Sequence, residues 1–331
     1  MKVAVLGAGG FGTALAAMLA RRGHHVSLWC RRAEQAFALL ADGENATYLP
    51  GVPLPSGVQP TASMEEALSG AHALLFAVPS QAMRATLERV WDAGGAPPLA
   101  ICTAKGLELS TLRRMSEVAA EFAVDTVQLS GPSHAEELGR DGVTVVVAAH
   151  PLADKRQAAQ DLLGGATLRT YGSPDRIGVE LGGALKNVLA LASGVSEGLG
   201  FGDNLRAALL TRGLAEITRL GVALGAEPAT FSGLAGLGDL LATVISPHSR
   251  NRRAGIALGK GTPLKDVLAG TPMVIEGVPA TQAALALSRR VGAELPIAAA
   301  LSRLLFEGAD PAMEVAALLQ RAFKEEERWR D

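Results

Sequence analysis

The sequence predicts an α/β protein of two domains, in which a mainly parallel sheet covered by helices is followed by an all-α domain. The chain has 331 residues, of which 48% are hydrophobic, and this length exceeds what one hydrophobic core usually organises. Its first half alternates short β-branched runs with helical patterns, which is typical of a parallel sheet flanked by helices. From residue 174 onward only helical periodicity remains. We therefore expect domains at residues 1–173 and 174–331.

Six apolar segments of the first half are predicted to be strands. Two stretches, "ALLFAV" and "VTVVVAA", are almost continuously apolar, which suits parallel strands buried on both faces. The stretch "YLPGVPLPSGVQP", residues 48–60, is rich in proline and turn-forming residues, so we expect a surface excursion there. The predicted strands are Lys2 to Leu6, Val26 to Trp29, Ala73 to Val78, Leu99 to Thr103, Thr126 to Leu129 and Val143 to Ala148.

The change between the two halves falls at "YGSPDRIG", residues 171–178. Ser173 is of a residue type that caps helices. Pro174 suits the first helical position, because its missing N–H has no partner to lose there. We expect the first helix of the second domain to begin at this point.

A glycine motif joins the first predicted strand to the first predicted helix. In "VLGAGGFGTALA" the spacing is Gly7-x-Gly9-x-x-Gly12, inside a strand–helix–strand unit of about 30 residues. Gly7 would allow a tight turn, Gly9 the approach of a pyrophosphate to the backbone, and Gly12 the close packing of helix on strand. The alternative is a glycine-rich turn that binds nothing. We predict a Rossmann-type dinucleotide-binding domain.

Two arginines follow the second predicted strand. Arg31 and Arg32 stand where NAD-binding domains often carry an acidic residue for the ribose hydroxyls. Arginine at this place can accommodate a 2′-phosphate, which predicts that NADPH is favoured and NADH tolerated. The alternative is that these arginines only cover the surface.

Composition and charge argue against several classes of protein. The net charge of −2 disfavours nucleic-acid binding, which needs a basic surplus. The run Val3 to Ala20 resembles a signal peptide or a membrane anchor, but its glycines favour a tight turn, so we expect neither a targeting segment nor membrane insertion. Cys30 and Cys102 are expected to be reduced core thiols of a cytoplasmic protein. The histidines lack metal-ligand spacing, and no metal is expected.

One lysine stands in a segment that otherwise predicts a buried helix. From Leu181 through Ser196, Lys186 is the only charged residue, and burial of an unpaired ammonium is costly. One alternative is a side chain that extends along the helix to water. A desolvated lysine, in contrast, has a lowered pKa and can exchange a proton near neutral pH. Hydride transfer to a ketone needs such a donor, so we predict that Lys186 is catalytic.

Three further places carry charge in informative surroundings. Lys105 follows a predicted strand, at the sheet edge where α/β folds bind ligands, and ordinary surface exposure is the alternative. Asp239 in "AGLGDLLAT" is either a helix cap or a partner of a lysine or a substrate hydroxyl. "SPHSRNRR" combines Ser249, Arg250 and Asn251 into a group suited to phosphate. Its alternative is a solvated, basic helix start.

The ordered motifs of the chain resemble those of the bacterial NAD(P)-dependent sn-glycerol-3-phosphate dehydrogenase family nearly end to end. The resemblance implies reversible reduction of dihydroxyacetone phosphate to sn-glycerol 3-phosphate with NADPH or NADH, for phospholipid synthesis. The implied partner is a small triose phosphate, and the oligomeric state stays open, with a homodimer as one option. The motifs are "GAGGFGTALA", "AVPS", "AKGLE", "SGPSHAEE", "GVELGGALKNVLALASGVSEGLGFGDN", "TRGLAEITRLG", "FSGLAGLGDL", "SRNRR" and "VIEG".

The resemblance also implies roles for individual residues. Lys186 would be the proton donor and acceptor, and Lys105 and Arg250 would contact both substrate and cofactor. The implied substrate contacts are Lys105, Gly131, Ser133, Asp239, Ser249, Arg250 and Asn251. Besides the motif glycines Gly7, Gly9 and Gly12, the implied cofactor contacts are Gly10, Phe11, Arg31, Arg32, Lys105, Ala135, Arg250, Val274 and Glu276.

Two other functions fit parts of the sequence. A reductase of 3-hydroxyacids or ketopantoate would combine this fold with a catalytic lysine, but its substrate would be a carboxylate without phosphate. A non-catalytic NADPH sensor would need only the glycine motif. The uncharged surroundings of Lys186 favour an enzyme over a sensor, because a sensor has no use for a desolvated proton carrier.

Overall fold

The structure is a computed structural model that describes residues 1–271 and 273–321. The chain divides into two compact units. Unit 1 comprises Met1–Ala104 and Arg113–Arg176, and unit 2 comprises Lys105–Leu112 and the described residues from Ile177 to Arg321. The segment Lys105–Leu112 therefore packs with unit 2, although it lies inside the range 1–173 expected for the first domain.

Unit 1 is built from strands and helices that alternate along the chain. Its strands are β1 (Lys2–Leu6), β2 (His25–Trp29), β3 (Glu44–Asn45), β4 (Leu49–Pro53), β5 (Val58–Thr61), β6 (Ala73–Phe76), β7 (Leu99–Cys102), β8 (Thr126–Ser130), β9 (Thr144–Ala149) and β10 (Leu168–Ser173). Its helices are α1 (Gly10–Arg21), α2 (Ala33–Asp42), α3 (Met64–Leu68), α4 (Met83–Asp92), α5 (Met115–Ala120), α6 (Ala135–Gly139) and α7 (Ala153–Leu163), with a 3₁₀ turn at Ser80–Ala82.

One eight-stranded sheet organises unit 1, in the order β10-β9-β8-β7-β6-β1-β2-β5. All neighbouring pairs are parallel except β8 and β9, so β9 and β10 run against the other six strands. Both faces are covered by buried apolar clusters: one contains Val5 and Leu15 of α1, and the other contains Leu6 and Leu87 of α4. The predicted mainly parallel sheet is confirmed, and this double burial explains its continuously apolar strands.

The prediction for residues 48–60 is wrong, because this stretch contains two strands. β4 pairs antiparallel with β3, and β5 pairs with β2 as the edge strand of the main sheet. Pro60 is tolerated within β5 because an edge strand needs hydrogen bonds on only one side.

The expected helix cap at Ser173 is also wrong. Ser173 ends β10, a strand that the sequence did not predict, and the next helix begins at Arg176. The Ser173 Oγ accepts a hydrogen bond from the backbone N–H of Asp175 at 3.2 Å. Most residues of β10 are at least partly exposed, so the strand lacks the apolar run by which the others were predicted.

Unit 2 is helical, and no strand is assigned between Ile177 and Arg321, Pro272 left aside. The helix α8 is its centre: every residue from Gly178 to Ser196 is buried, as predicted for this apolar segment. The helices are α8 (Arg176–Gly198), α9 (Asp203–Ala223), α10 (Pro228–Phe231), α11 (Asp239–Ile245), α12 (Arg250–Gly259), α13 (Leu264–Ala269), α14 (Gly277–Val291), α15 (Pro296–Phe306) and α16 (Pro311–Leu319), with a π-helix at Leu234–Gly238.

Cys30 and Cys102 are buried and free of disulfides, as predicted, and burial raises the pKa of the Cys30 thiol to about 12. By length and composition alone, one described helical segment, Pro228–Ile245, would be long and apolar enough to cross a membrane. In the structure it is divided among α10, the π-helix and α11.

Candidate active site

The glycine motif forms the turn between β1 and α1 in unit 1. Gly7 has a φ of +111°, and a Cβ there would lie 2.6 Å from the carbonyl oxygen of Ala77, so the position requires glycine. A Cβ at Gly12 would overlap the carbonyl oxygen of Gly7, whereas one at Gly9 would have no atom within 4 Å. The turn is therefore tightly packed inside and open over Gly9, at the N-terminus of a 12-residue helix. This open backbone fits the pyrophosphate of a dinucleotide.

Three more predicted cofactor contacts lie close to this turn in the chain or in space. Gly10 begins α1, and a Cβ on it would lie 2.7 Å from the carbonyl oxygen of Tyr48 and 3.5 Å from the Cβ of Ala135. Ala135 is the first residue of α6. Phe11 is half-buried and packs on the apolar core of unit 1.

The remaining predicted residues of unit 1 follow strands β2 and β8. Arg31 and Arg32 are both exposed, and Arg32 directly precedes α2. Gly131 follows β8 with a φ of +127°. Its carbonyl oxygen accepts a hydrogen bond from Ser133 Oγ at 2.9 Å. All four residues thus follow the carboxyl ends of strands, where α/β sheets bind ligands.

A charged cluster in unit 2 surrounds Lys186 of α8. Lys186 is 6% exposed and Asp239 is 2% exposed. The Lys186 Nζ donates to Asp239 Oδ1 at 2.5 Å and to Thr243 Oγ1 at 2.7 Å. The other carboxylate oxygen, Oδ2, accepts from Lys105 Nζ at 2.7 Å. Each oxygen of Asp239 therefore binds one ammonium, and Asp239 acts as the partner of both lysines.

A glycine of α8 allows the chain that leads into α11 to pack closely against it. A Cβ at Gly182, one turn before Lys186, would lie 2.9 Å from the carbonyl oxygen of Ala235. Glycine therefore lets the backbone of the π-helix approach α8, and Asp239 follows directly as the first residue of α11. Thr243 lies one turn further on the same face, where its Oγ1 also donates to the carbonyl oxygen of Asp239 at 2.6 Å.

Burial and the neighbouring charges make Lys186 a proton donor that gives up its proton more readily than an ordinary lysine. Burial lowers the pKa of Lys186 to about 8, an effect that Asp239 opposes and that Lys105 and Arg250 reinforce. Burial alone would raise the pKa of Asp239, but the two lysine ammonium groups outweigh it and lower that pKa. At neutral pH the cluster thus holds a carboxylate and a protonated but weakly basic Lys186.

The segment predicted to bind phosphate begins helix α12. Ser249 is the N-cap, and its Oγ accepts a hydrogen bond from the backbone N–H of Arg252 at 3.2 Å. Arg250 is the exposed first residue of the helix, and its charge acts on Lys186. The guanidinium is therefore on the surface of unit 2 and close enough to the lysine to affect its pKa.

Asn251 is buried and connects three helices of unit 2. Its Nδ2 donates to Asn187 Oδ1 at 2.8 Å, and its Oδ1 accepts from the backbone N–H of Gly277 at 2.9 Å. Asn187 neighbours Lys186 on α8, and Gly277 is the first residue of α14, directly after Glu276. Val274, three residues earlier than Gly277, is 40% exposed. The amide pair holds the starts of α12 and α14 against α8.

The structure thus gathers one part of the predicted site in unit 2 and another in unit 1. Thr243 is a member of the lysine cluster that the sequence analysis missed. The signal was present, because Thr243 stands four residues after Asp239 in an otherwise apolar helix. Unit 2 carries Lys105, Lys186, Asp239, Ser249, Arg250, Asn251, Val274 and Glu276, and unit 1 carries Gly7, Gly9, Gly10, Phe11, Gly12, Arg31, Arg32, Gly131, Ser133 and Ala135.

Within residues 1–271 and 273–321, no group of three or more histidine, cysteine, aspartate or glutamate side chains is arranged to hold a metal ion.

The chain is similar over nearly its whole length to several glycerol-3-phosphate dehydrogenases. The chain is 51% identical over 320 residues to the glycerol-3-phosphate dehydrogenase [NAD(P)+] of Moorella thermoacetica, covering 96% of each protein. It is 49% identical to the enzyme of the same name from Pelotomaculum thermopropionicum, covering 97% of this chain and 93% of that one. The crystal structure of glycerol-3-phosphate dehydrogenase from Coxiella burnetii superposes with a TM-score of 0.93 at 38% identity, covering 97% and 99% of the two chains.

Family models match both parts of the chain. Residues 2–157 match the N-terminal domain of NAD-dependent glycerol-3-phosphate dehydrogenase, and residues 175–316 match its C-terminal domain. With a glycine turn suited to a dinucleotide and a buried lysine paired with a carboxylate, the chain belongs to the NAD-dependent glycerol-3-phosphate dehydrogenase family.

Proposed function

We propose that the chain catalyses the reversible reduction of dihydroxyacetone phosphate to sn-glycerol 3-phosphate, with Lys186 as the proton donor. The observation that carries this proposal is the buried pairing of Lys186 with Asp239 and Thr243. The family membership supplies the substrate class. NADPH or NADH, when bound, supplies the hydride to the carbonyl carbon.

Lys186 can supply the proton that this reaction needs. As the carbonyl carbon is reduced, its oxygen gains the charge of an alkoxide, and a positioned ammonium can neutralise it by giving up a proton. With a pKa of about 8, the ammonium is populated at neutral pH and is a stronger acid than an ordinary lysine. In the reverse direction the neutral amine accepts the proton of the glycerol 3-phosphate hydroxyl.

Asp239 keeps Lys186 protonated at neutral pH despite its burial. Without a counter-charge, a fully desolvated lysine would lose its proton at neutral pH and could not donate one. Asp239 also holds Lys105 through its second oxygen, so both ammonium groups are fixed at defined positions. We propose that Lys105, held in this position, binds the substrate.

We propose that Arg250 binds the phosphate of the substrate. A guanidinium matches phosphate geometry with two parallel N–H groups, and Arg250 combines exposure with an electrostatic effect on Lys186. Arg250→Gln should therefore lower kcat/KM for dihydroxyacetone phosphate by about 10²-fold to 10³-fold. At saturating NADPH, turnover of unphosphorylated dihydroxyacetone should stay within about twofold, because no phosphate contact is lost.

Arg253 offers a matched control for this prediction. It is exposed on the same helix, three residues after Arg250, so Arg253→Gln removes an equal charge from the same surface. If both variants lose activity equally, the effect of Arg250 is general electrostatics and not phosphate binding.

The function itself is tested by oxidation of NADPH and of NADH with dihydroxyacetone phosphate, beside the unphosphorylated ketone and ketopantoate. We expect turnover of the phosphate ester with both cofactors, and faster turnover with NADPH if Arg31 and Arg32 bind the 2′-phosphate. Preferential turnover of ketopantoate would instead identify a carboxylate reductase. We propose a cytoplasmic setting, in which the product serves as the glycerol backbone of phospholipids.

A further inference from the structure

One carbonyl group of the glycine turn is held by two side chains from outside the motif. The carbonyl oxygen of Ala8 accepts a hydrogen bond from Gln35 Nε2 at 2.7 Å and another from Asn45 Nδ2 at 3.0 Å. Gln35 lies in α2 and Asn45 in β3. Both are amide donors, so their bonds to a single carbonyl oxygen fix the direction of that peptide group.

Asn45 is itself held in place. It is 3% exposed, and its Nδ2 also donates to Thr13 Oγ1 of α1 at 2.7 Å. Its Oδ1 accepts from the backbone N–H of Tyr48 at 3.3 Å. Asn45 therefore ties the β3–β4 hairpin to the first helix and to the glycine turn at once.

The direction of the Ala8 carbonyl determines where the next N–H points. No cis peptide bond occurs among the described residues, and across a trans peptide the C=O and the following N–H point in opposite directions. With the Ala8 oxygen held toward Gln35 and Asn45, the N–H of Gly9 is turned away from them. A turn rich in glycine would otherwise sample several peptide orientations.

We propose that Gln35 and Asn45 are positioning residues for dinucleotide binding, which preset the Gly9 N–H as a donor to the pyrophosphate. This inference rests on the proposed function. Because NADPH and NADH share the pyrophosphate, loss of the hydrogen bond from Gln35 or Asn45 should weaken the binding of both cofactors equally. Loss of Arg31 or Arg32 should instead change the ratio of the two affinities.

The test compares Gln35→Met and Asn45→Ala with the unchanged protein. Methionine keeps the length of Gln35 without its donor, and Gln35 is only half-buried, so this variant keeps the fold intact. Gln157→Met is the matched control, because Gln157 is an exposed amide of unit 1 whose hydrogen bond at 2.7 Å goes to Asp161. For each protein, Kd is measured by cofactor fluorescence for NADPH and NADH, with adenosine 2′-phosphate as a competing ligand and Tm recorded.

We expect each substitution to raise Kd for NADPH and for NADH by about tenfold, the effect of one lost hydrogen bond of ordinary strength. The ratio of the two Kd values, the affinity for adenosine 2′-phosphate and kcat at saturating cofactor should change by less than about twofold, since none of them depends on the pyrophosphate donor. Gln157→Met should bind like the unchanged protein.

Two results would overturn the inference. One is an unchanged Kd for both cofactors in Gln35→Met and Asn45→Ala. The other is a parallel loss of adenosine 2′-phosphate binding, which would indicate a general distortion of unit 1. Failure of the proposed function is distinguishable, because then the unchanged protein would not turn over dihydroxyacetone phosphate, whereas its Kd for NADPH and NADH can still be compared with that of the variants.

Discussion

Replacing Lys186 by methionine is expected to lower kcat for dihydroxyacetone phosphate reduction by about 10²-fold to 10⁴-fold, the usual contribution of a general acid. Methionine has a similar length and no charge, so it removes the proton without opening a large cavity. Kd for NADPH should change by less than about twofold, since Lys186 is not among the predicted cofactor contacts. Steady-state kinetics and cofactor fluorescence measure the two effects.

Lys265→Met serves as the control, because Lys265 is exposed on α13. It should leave kcat and Kd unchanged. Turnover of Lys186→Met close to that of the unchanged protein would falsify the assignment of Lys186 as the proton donor.

The pH dependence of the unchanged enzyme follows from the same group. Reduction needs protonated Lys186, so kcat/KM at saturating cofactor should be level near pH 7 and fall as the pH rises through about 8. Oxidation of glycerol 3-phosphate needs the neutral amine, so its kcat/KM should rise through the same pH and then level off. Profiles with the same sign in both directions would contradict this assignment.

Asp239→Asn is expected to lower both the pKa of Lys186 and the stability of the protein. It removes the negative charge that opposes the desolvation of Lys186, so the pKa of Lys186 should fall by at least about one unit. The declining limb of the reduction profile should move to lower pH by the same amount. Activity at pH 8 should therefore drop far more than activity at pH 6, which a profile from pH 5 to 9 measures.

The stability effect has a separate physical cause. Asp239→Asn leaves two ammonium groups near one amide, and breaking a buried ion pair by removing one partner costs about 3–5 kcal/mol. Tm should fall accordingly, as measured by circular dichroism. Asp266→Asn is the control, since Asp266 is an exposed carboxylate on α13. A variant with lowered Tm but an unshifted pH profile would mean that Asp239 stabilises the fold without controlling Lys186.

Some parts of the fold could be predicted from the sequence because local sequence patterns determine them. The β1–α1–β2 unit follows from one apolar run, three glycines with fixed spacing and a second apolar run. Strands β5 and β10 were missed because they lie at the two edges of the sheet. An edge strand is partly exposed, so its pairing partner and not its apolar pattern makes it a strand.

The sequence by itself determined that a glycine turn opens the first helix and that a single lysine lies inside an apolar helix, since spacing and composition carry both signals. The tertiary structure alone decided which role Asp239 has and which side chains complete the cluster. Asp239 lies 53 residues from Lys186 and 134 residues from Lys105 along the chain. Such contacts depend on how distant helices pack, as at Gly182 against Ala235, and packing between distant segments leaves no periodic trace in a sequence.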